Sequence, residues 1–481
     1  MALSRETRMT ALVALAAGAV ALVSARPYAG AWNDGSRLAT VECLVDRGTL
    51  AIDDSLLVLP GDGPLNPYRG IALDNGTLDK LLIDGRFYSD KSPVPALLLA
   101  LVYQVLQWLC GLHVRQDPQR FCYLMTLASS GVAYVVAVVC VFRCGQPLRL
   151  AWRWRLVLTA SFALASVAVV YVRHVNNHAL LLGVAAALLL QLAQLNDAAP
   201  WWRVGLLGSL AGLGYAIDLG AGPPLLLGAA LLVAWHCGLR LAACGWFALG
   251  ALPWLALHHA VNYAVGGTFG PANANPAYFQ WDGCPFQGAA MTGTWHHESA
   301  FDFAVYALAM LFGKHGFVGH NLPLFLLLPG VPLLLRRRPR EWPVLLFAAA
   351  WAGGTWLLYA ATSRNYSGAN CTIRWFVPLL APAFYALAVL LRDESALRWP
   401  FVILSGWGLV LMAVAWRYGP WIPHLVPAFW PIQAAALASW LGFFLLRMKQ
   451  NHSSASLFHC RASRPLPEYA AAGTPAHGDL P

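Results

Sequence analysis

The stretch "MTALVALAAGAVALVSARPYAGAWNDGSRLATVECLVDRG" (9–48) joins an apolar run to a segment crowded with charge. Residues 9–25 contain no charged side chain and have the length that a membrane-spanning helix needs. Because two arginines precede this run and small residues end it, it also has the pattern of a cleavable signal peptide. Under either interpretation, the chain from residue 26 onward starts outside the cytoplasm.

Residues 34–47 carry apolar side chains at helical spacing but are too polar to span a bilayer. Asp34 suits the N-cap position, and Gly48 suits the left-handed residue that ends a helix. The apolar positions on the shared face are Leu38, Val41 and Val45. The spacing therefore predicts an amphipathic helix that lies on the membrane surface.

The composition of the whole chain is that of an integral membrane protein. Of 481 residues, 58% are hydrophobic and 11% are charged, and the mean hydropathy is +0.55. The net charge of +10 is typical of basic cytoplasmic loops and does not indicate a nucleic-acid partner. The ten cysteines form no CxxC pair and show no metal-type spacing.

Charge distribution predicts the topology. One apolar run, 93–112, could either cross the membrane or lie on its outer interface. If it lies on the interface, cytoplasmic loops after residue 121 hold fourteen Lys or Arg and outer loops hold five; if it crosses, this bias inverts. The positive-inside rule therefore predicts an interfacial helix and twelve spans, with both termini in the cytoplasm. The predicted spans are 9–25, 121–142, 156–172, 179–195, 204–217, 222–236, 241–257, 319–335, 343–360, 376–391, 400–416 and 429–446.

The predicted organisation is an all-α polytopic membrane domain over 1–446, followed by a disordered cytoplasmic tail over 447–481. Polar residues gather in the outer loops, chiefly 26–120 and 258–318, whereas the cytoplasmic loops are short and basic. Any chemistry is therefore expected on the outer face of the plasma (inner) membrane.

Two strings in the first outer loop carry a family resemblance. The string "DGSRLA" (34–39) follows the first span, and "KSP" (91–93) opens the second surface helix. With about ten further spans, this order resembles the polytopic C-type-fold glycosyltransferases that use lipid-phosphate sugars. Protein O-mannosyltransferases and lipid A aminoarabinose transferases belong to that group. Their corresponding strings read Asp-Glu-x-Arg-Tyr-Ala and Lys-Pro-Pro.

The resemblance implies roles for three residues of this loop. Asp34 matches the catalytic acid, a general base that deprotonates the acceptor as the anomeric carbon becomes oxocarbenium-like. Lys91 matches the lysine that engages the lipid-phosphate leaving group. Arg37, one turn from Asp34, would orient that carboxylate or contact phosphate. Without the resemblance, Asp34 is interpreted as a helix cap and Lys91 as an interfacial lysine.

The sequence also departs from the family pattern. Gly35 stands where the family has Glu, and the second Pro of Lys-Pro-Pro is absent. The short second outer loop, in which relatives often carry Asp, reads "RHVNNH" (173–178). These departures leave metal dependence and the class of acceptor open. Candidates to hydrogen-bond a sugar or an acceptor are Asn176, Asn177, His178 and Asp218.

Two later outer loops add a phosphate candidate and several histidines. The loop 362–382 resembles the family's Asn-Tyr-Gly-Gly…Arg loop, and Arg374 is there a candidate phosphate clamp because a guanidinium offers paired donors. The histidine pairs at 258–259 and 296–297 match no zinc signature. We therefore predict no metal site at these histidines and name no cofactor, with a divalent metal kept as the less favoured alternative.

The leading hypothesis is a membrane glycosyltransferase that moves a sugar from a polyprenyl-phosphate donor to a lipid, glycan or protein acceptor. Membrane lipids are the other expected partners. A secondary transporter or flippase is one alternative, although transporters place polar residues near the midplane of the membrane. A non-catalytic scaffold descended from a transferase is another, because the family's second acid is missing.

Overall fold

The computed structural model describes residues 4–58, 76–196, 199–286, 291–422 and 425–462, and only the backbone of 448–462. Almost all regular structure in these ranges is helical. The helices are α1 Arg5–Ser24, α2 Trp32–Arg47, α3 Pro93–Cys110, α4 Pro118–Thr126, α5 Val132–Cys144, α6 Trp152–Leu164, α7 Ala168–Tyr171, α8 Asn177–Leu192, α9 Trp201–Ile217, α10 Gly222–His236, α11 Leu241–Gly266, α12 Ala300–Phe312, α13 Phe317–His320, α14 Leu327–Arg337, α15 Trp342–Thr362, α16 Leu380–Asp393, α17 Arg398–Tyr418 and α18 Phe429–Ala462. Strands β1 Lys80–Ile83 and β2 Arg86–Ser89 form an antiparallel hairpin.

Nine helical segments in the described part of the chain are long and apolar enough to cross a membrane. They include α1, α3, α15 and α17, and the continuous helical stretch Pro118–Cys144. Helices α8 and α10 are apolar but shorter. The all-α, multi-pass architecture expected from the sequence is confirmed, whereas the count of twelve spans stays a prediction.

Between α1 and α4, the described residues form a platform of α2, the hairpin and α3. Asp84 and Gly85 join the strands, and both have positive φ, of 49° and 76°. This is the backbone of a tight hairpin turn, which an Asp-Gly pair favours. Thr77 Oγ1 donates to the Trp32 carbonyl (2.7 Å) and Ser36 Oγ donates to the Asp79 carbonyl (2.6 Å), so the hairpin is attached to α2.

The acidic residues of α2 attach the helix to its neighbours. Glu42 is completely buried and accepts hydrogen bonds from Ser55 Oγ (2.6 Å) and the Leu56 amide (3.1 Å). Asp46 accepts from Gln107 Nε2 of α3 (2.6 Å). The charge density that makes this segment unsuited to the bilayer core therefore serves, in large part, to hold the platform together.

Two details of the platform and the later chain differ from the sequence prediction. Asp34 is not the N-cap of the surface helix: α2 begins at Trp32 after Ala31, and Asp34 lies in its first turn. Gly48 ends the helix in the left-handed conformation (φ 65°), as expected. The segment 258–318, predicted as an outer loop, contains the end of α11 and all of α12, which belongs to the candidate span Ala300–His320.

The predicted disordered tail begins inside the last helix. Helix α18 continues past Arg447 to Ala462, and residues 463–481 lie outside the described residues. The platform and the helices that surround it belong to one compact unit, which ends at Ala436.

Candidate active site

Asp34 is a buried carboxylate at the start of α2. Its Oδ2 accepts a hydrogen bond from the Gly30 amide (2.6 Å) and its Oδ1 from the Ala31 amide (2.7 Å), and the residue is 1% exposed. His174 Nδ1, which has no hydrogen-bond partner, lies 3.5 Å from Asp34 Oδ2. Burial raises the pKa of Asp34 to about 7, against the opposing effect of the two backbone hydrogen bonds and the charge of Arg37. The carboxyl group can therefore exchange a proton near neutral pH.

Arg37 lies one turn further along α2 and is also buried, at 2% exposed. Its Nη1 donates to the Asn33 carbonyl (2.8 Å) and to Asn33 Oδ1 (2.5 Å), while its Nε has no hydrogen-bond partner. Burial lowers the pKa of Arg37 to about 10. The charges that act on this pKa come from Asp90, Arg374, Asp79 and Asp34. The platform and the later loop of Arg374 therefore converge on Arg37.

Lys91 is held between two carboxylates. Its Nζ lies 2.7 Å from Asp79 Oδ2 and 2.6 Å from Asp90 Oδ2. All three side chains are at most 15% exposed. Lys91 therefore carries two acidic partners where the family resemblance predicted a cation directed at phosphate.

An open cleft lies beside this triad. Arg37, Asp90 and Lys91 line it, together with His258 and Asn262 of α11. Asp34 is not among the lining residues. Polar residues of the platform and of α11 therefore line the same cleft.

Asp218 organises a second buried cluster. Its carboxylate accepts hydrogen bonds from Asn177 Nδ2 (3.0 Å), the Tyr359 hydroxyl (3.1 Å) and the Gly220 amide (3.0 Å), and it lies 2.9 Å from His178 Nδ1. Burial alone would raise the pKa of Asp218, but its contact with His178 and the backbone hydrogen bonds lower it to about 2. The hydrogen bonds to its oxygens therefore favour the ionised carboxylate, which serves as an acceptor in this cluster.

Arg374 lies between the two clusters. Its charge acts on both Arg37 and His178, and its guanidinium lies over the Trp421 ring, 5.8 Å from the ring centre. Its Nε has no hydrogen-bond partner. The neighbouring Trp375 stacks on Tyr359, with ring centres 4.3 Å apart, and Tyr359 contacts Asp218. Arg374 is therefore a half-buried guanidinium whose Nε is buried without a hydrogen-bond partner, and its charge acts on both clusters.

The remaining candidate, Asn176, has a structural role. Its Oδ1 accepts from the amides of His178 (2.8 Å) and Ala179 (3.2 Å), which caps the N-terminus of α8. The structure thus brings Asn177, His178 and Asp218 into one cluster and Asp34 and Arg37 into another, with Arg374 within electrostatic range of both.

Sequence reasoning missed Asp79, Asp90 and His174. A signal existed for the first two: the Asp-Gly pair at 84–85 predicts a hairpin, and the pairing of Lys80 with Ser89 brings Asp79 next to Asp90. No pattern in the sequence singled out His174, because its contact with Asp34 joins loops far apart in the chain.

No group of three or more His, Cys, Asp or Glu side chains in the described ranges is arranged to hold a metal ion. One histidine of each pair contacts a neighbouring helix. His259 Nε2 lies 3.1 Å from the Tyr215 hydroxyl, and His297 Nε2 lies 2.7 Å from the Ala360 carbonyl oxygen.

The helical bundle and its platform define the class: an integral, multi-pass membrane protein with the fold of C-type glycosyltransferases. The crystal structure of ArnT from Cupriavidus metallidurans bound to undecaprenyl phosphate matches 91% of this chain and 76% of its own, with a TM-score of 0.51 and 13% identity. The same protein in the apo state matches with a TM-score of 0.48 and 14% identity, covering 92% of this chain and 76% of that chain.

An oligosaccharyltransferase from Archaeoglobus fulgidus matches 86% of this chain and 56% of its own, with a TM-score of 0.44 and 11% identity. No family model matches the sequence, and no curated protein matches it. The fold assignment rests on the ligand-bound ArnT structure.

Proposed function

We propose that this protein is a membrane glycosyltransferase that takes a sugar from a polyprenyl-phosphate donor and passes it to an acceptor at the face that carries Asp34. One observation carries the proposal: a buried carboxylate with a pKa of about 7 lies within electrostatic range of Arg37, and Arg37 in turn lines the open cleft beside Lys91. The shared fold supports it, because the matching ArnT structure is bound to undecaprenyl phosphate.

In the proposed reaction, Asp34 takes the proton of the acceptor hydroxyl. The acceptor oxygen then bonds to the anomeric carbon while the bond from that carbon to the phosphate oxygen breaks, with inversion at that carbon. The leaving polyprenyl phosphate gains negative charge. Arg37 and Arg374 are the proposed partners of that charge, since guanidinium groups bind phosphate oxygens in pairs.

Lys91 would be a weaker third partner of the negative charge on the leaving polyprenyl phosphate. Because Asp79 and Asp90 already balance its ammonium group, Lys91 contributes less net positive charge than an unpaired lysine. We assign it to orienting the phosphate at the cleft. The cluster of Asn177, His178 and Asp218 supplies fixed polar groups that suit sugar or acceptor hydroxyls.

A specific observation also favours a second candidate, a non-catalytic protein that binds lipid-linked sugars. Both oxygens of Asp34 are occupied by backbone amides, and the residue is 1% exposed. An acceptor can reach this carboxylate only if the Gly30–Ala31 segment gives way. If the segment does not move, the site can bind a donor but cannot turn it over.

The decisive experiment measures binding and turnover separately. Purified full-length protein is incubated with a panel of undecaprenyl-phosphate-linked sugars, and release of undecaprenyl phosphate is followed. Asp34→Asn should retain donor binding and lose turnover by about 10²–10⁴-fold, the usual contribution of a general base. Full turnover by Asp34→Asn would remove the assigned base. Binding without turnover by the wild type would favour the non-catalytic alternative.

Asp46→Asn is the matched control. Asp46 lies on the same helix, and its carboxylate faces Gln107 and Tyr103 of α3 instead of the proposed site. This variant should keep wild-type turnover. A comparable loss in both variants would show that α2 tolerates no loss of charge and would leave the role of Asp34 without support.

A further inference from the structure

A second recess lies on the lipid-facing side of the bundle, between α1 and α17. It is an apolar groove with an empty volume of about 1160 Å³, and its walls include Val20 and Val23 of α1 and Leu409 and Met412 of α17. Val23 is 68% exposed and Leu409 is 48% exposed, so the groove opens toward the hydrocarbon of the bilayer. None of its lining residues belongs to the cleft beside Lys91.

One end of the groove is cationic. Ser24, Trp416 and Arg417 line that end, and Trp416 Nε1 donates to Ser24 Oγ (2.9 Å). The guanidinium groups of Arg26 and Arg173 both lie over the Trp416 ring, 5.2 Å and 5.5 Å from its centre. Two arginines therefore lie over Trp416, and a third, Arg417, is the next residue of α17 and lines the groove.

This gathering of charge favours an anion. Guanidinium groups that share one indole ring repel each other unless a negative group lies close to both. Within the described residues, neither Arg26 nor Arg417 forms an ion pair with a carboxylate, and Arg26 Nε is buried without a hydrogen-bond partner. Tryptophan at such a place is typical of the membrane–water boundary, where lipid headgroups lie.

We propose that this groove binds a membrane lipid with a phosphate headgroup: its hydrocarbon chain lies between α1 and α17, and its phosphate meets Arg26, Arg173 and Arg417. Arginine binds phosphate oxygens in pairs, which gives the site its preference for that headgroup. The apolar walls add little net energy, since lipid tails are equally apolar, but they determine where the lipid lies.

The site adjoins the proposed catalytic carboxylate without depending on it. Arg173 precedes His174, which lies 3.5 Å from Asp34, so a bound headgroup would sit beside the loop that supports that contact. Lipid binding at the groove can be measured whether or not the protein is a transferase. Failure of one proposal therefore leaves the other standing.

The test uses native mass spectrometry of the full chain in detergent, titrated with dioleoyl phosphatidic acid. Dioleoylglycerol supplies the same chains without phosphate. We expect saturable binding of phosphatidic acid alone. The double variant R26Q/R417Q should bind it about tenfold or more weakly, because each arginine near a lipid phosphate contributes about 1 kcal/mol. Arg173 is left in place because it is 5% exposed and its loss would disturb the fold.

The matched control is R5Q/R153Q. Arg5 and Arg153 also lie over one indole ring, that of Trp152, at 5.2 Å and 5.8 Å, and they belong to the N-terminal turns of α1 and α6, whereas the groove is lined by the C-terminal parts of these helices. This variant removes the same charge and should bind phosphatidic acid as the wild type does. An equal loss in both double variants would overturn the proposal, since it would show attraction to net charge alone.

Two further measurements distinguish the contribution of the lipid tail to binding from that of the phosphate headgroup. Ala413→Trp adds bulk to the groove wall and should weaken binding of phosphatidic acid while the protein keeps its melting temperature. Inorganic phosphate at millimolar concentration should compete poorly, because it lacks a chain. Equal binding of dioleoylglycerol, or complete displacement by inorganic phosphate, would contradict the proposed lipid site.

Discussion

At the scale of the residue, the burial of Asp34 predicts a pH dependence. A general base must be ionised, and the pKa of Asp34 is raised to about 7 by burial. Below that pH, the rate of transfer should fall about tenfold per pH unit, because the ionised fraction falls in that proportion. The measurement is kcat/KM for donor consumption between pH 5 and pH 9.

Arg37→Gln tests the cause of this pKa. The positive charge of Arg37 lowers the pKa of Asp34, so its removal should raise that pKa and move the acid limb of the profile to higher pH. Arg47→Gln, at the other end of α2, removes an equal charge that pairs with Glu42 and should leave the limb in place. An unmoved limb in Arg37→Gln would contradict the assignment of the limb to Asp34.

Lys91 offers a prediction about stability. Lys91→Gln leaves Asp79 and Asp90 buried and without their cation, and breaking a buried ion pair in this way costs about 3–5 kcal/mol. The double variant D90N/K91Q should recover part of that loss, since one carboxylate disappears with the cation. Melting temperatures in detergent measure both effects. A Lys91→Gln protein that melts with the wild type would show that the triad does not stabilise the fold.

The candidate residues were found from sequence to different degrees. The charges of Asp34 and Arg374 both act on the pKa of Arg37, whereas Asp34 accepts hydrogen bonds from the amides of Gly30 and Ala31 and is not the N-cap of the helix. Ala31 at the N-cap has no side-chain acceptor, so a carboxylate three residues later satisfies its amide. The choice between these two arrangements depends on the path of the chain before α2, which local sequence does not determine.

At the scale of the element, α9 and α11 pack closely through small residues. A Cβ atom on Gly212 of α9 would lie 2.7 Å from the Cα atom and from the carbonyl oxygen of Ala251. Because this contact is with backbone, the helices must separate, and membrane helices depend on such close approach. Gly212→Ala should therefore lower the melting temperature in detergent.

The control on the same helix is Gly205→Ala. Its Cβ would meet nothing nearer than the Trp246 carbonyl oxygen at 3.7 Å, so the substitution should be neutral or stabilising by up to about 1 kcal/mol through helix propensity. If Gly205→Ala destabilised as much as Gly212→Ala, glycine would be needed for a reason other than close packing.

Elements were predictable where apolar length is decisive. The runs that became α1, α15 and α17 are long and uninterrupted, and the structure has helices there. The helix α12 was missed because Gly, Asn and His residues surround its apolar run of 13 residues, although the stretch Ala300–His320 that contains it is long and apolar enough to span. The hairpin was missed although its Asp-Gly turn is a strong local signal.

At the scale of the whole molecule, contacts between distant loops constrain how often the chain crosses the membrane. Asp34 and His174 lie 3.5 Å apart, so an even number of crossings separates them. Between them lie α3, the stretch Pro118–Cys144, and the pair α6 and α7. If the last two cross, α3 cannot. If both of those stretches cross, the contact between Asp34 and His174 favours the interfacial position that the charge bias predicts for 93–112, although α3 is long and apolar enough to span.

Cysteine labelling tests this topology. Single cysteines at Asp54, Gln116 and Gln146, all at exposed positions in a background without other cysteines, are treated with a membrane-impermeant maleimide in sealed vesicles. If α3, between the first two positions, lies on the interface, Asp54→Cys and Gln116→Cys should label from the same side. Because Pro118–Cys144 crosses the membrane before the third position, Gln146→Cys should label from the other side. Labelling of Asp54→Cys and Gln116→Cys from opposite sides would place α3 across the bilayer. A membrane-spanning α3 would put Asp34 and His174 on opposite sides of the bilayer. The contact between them, and the candidate site that includes it, would then not exist in the membrane.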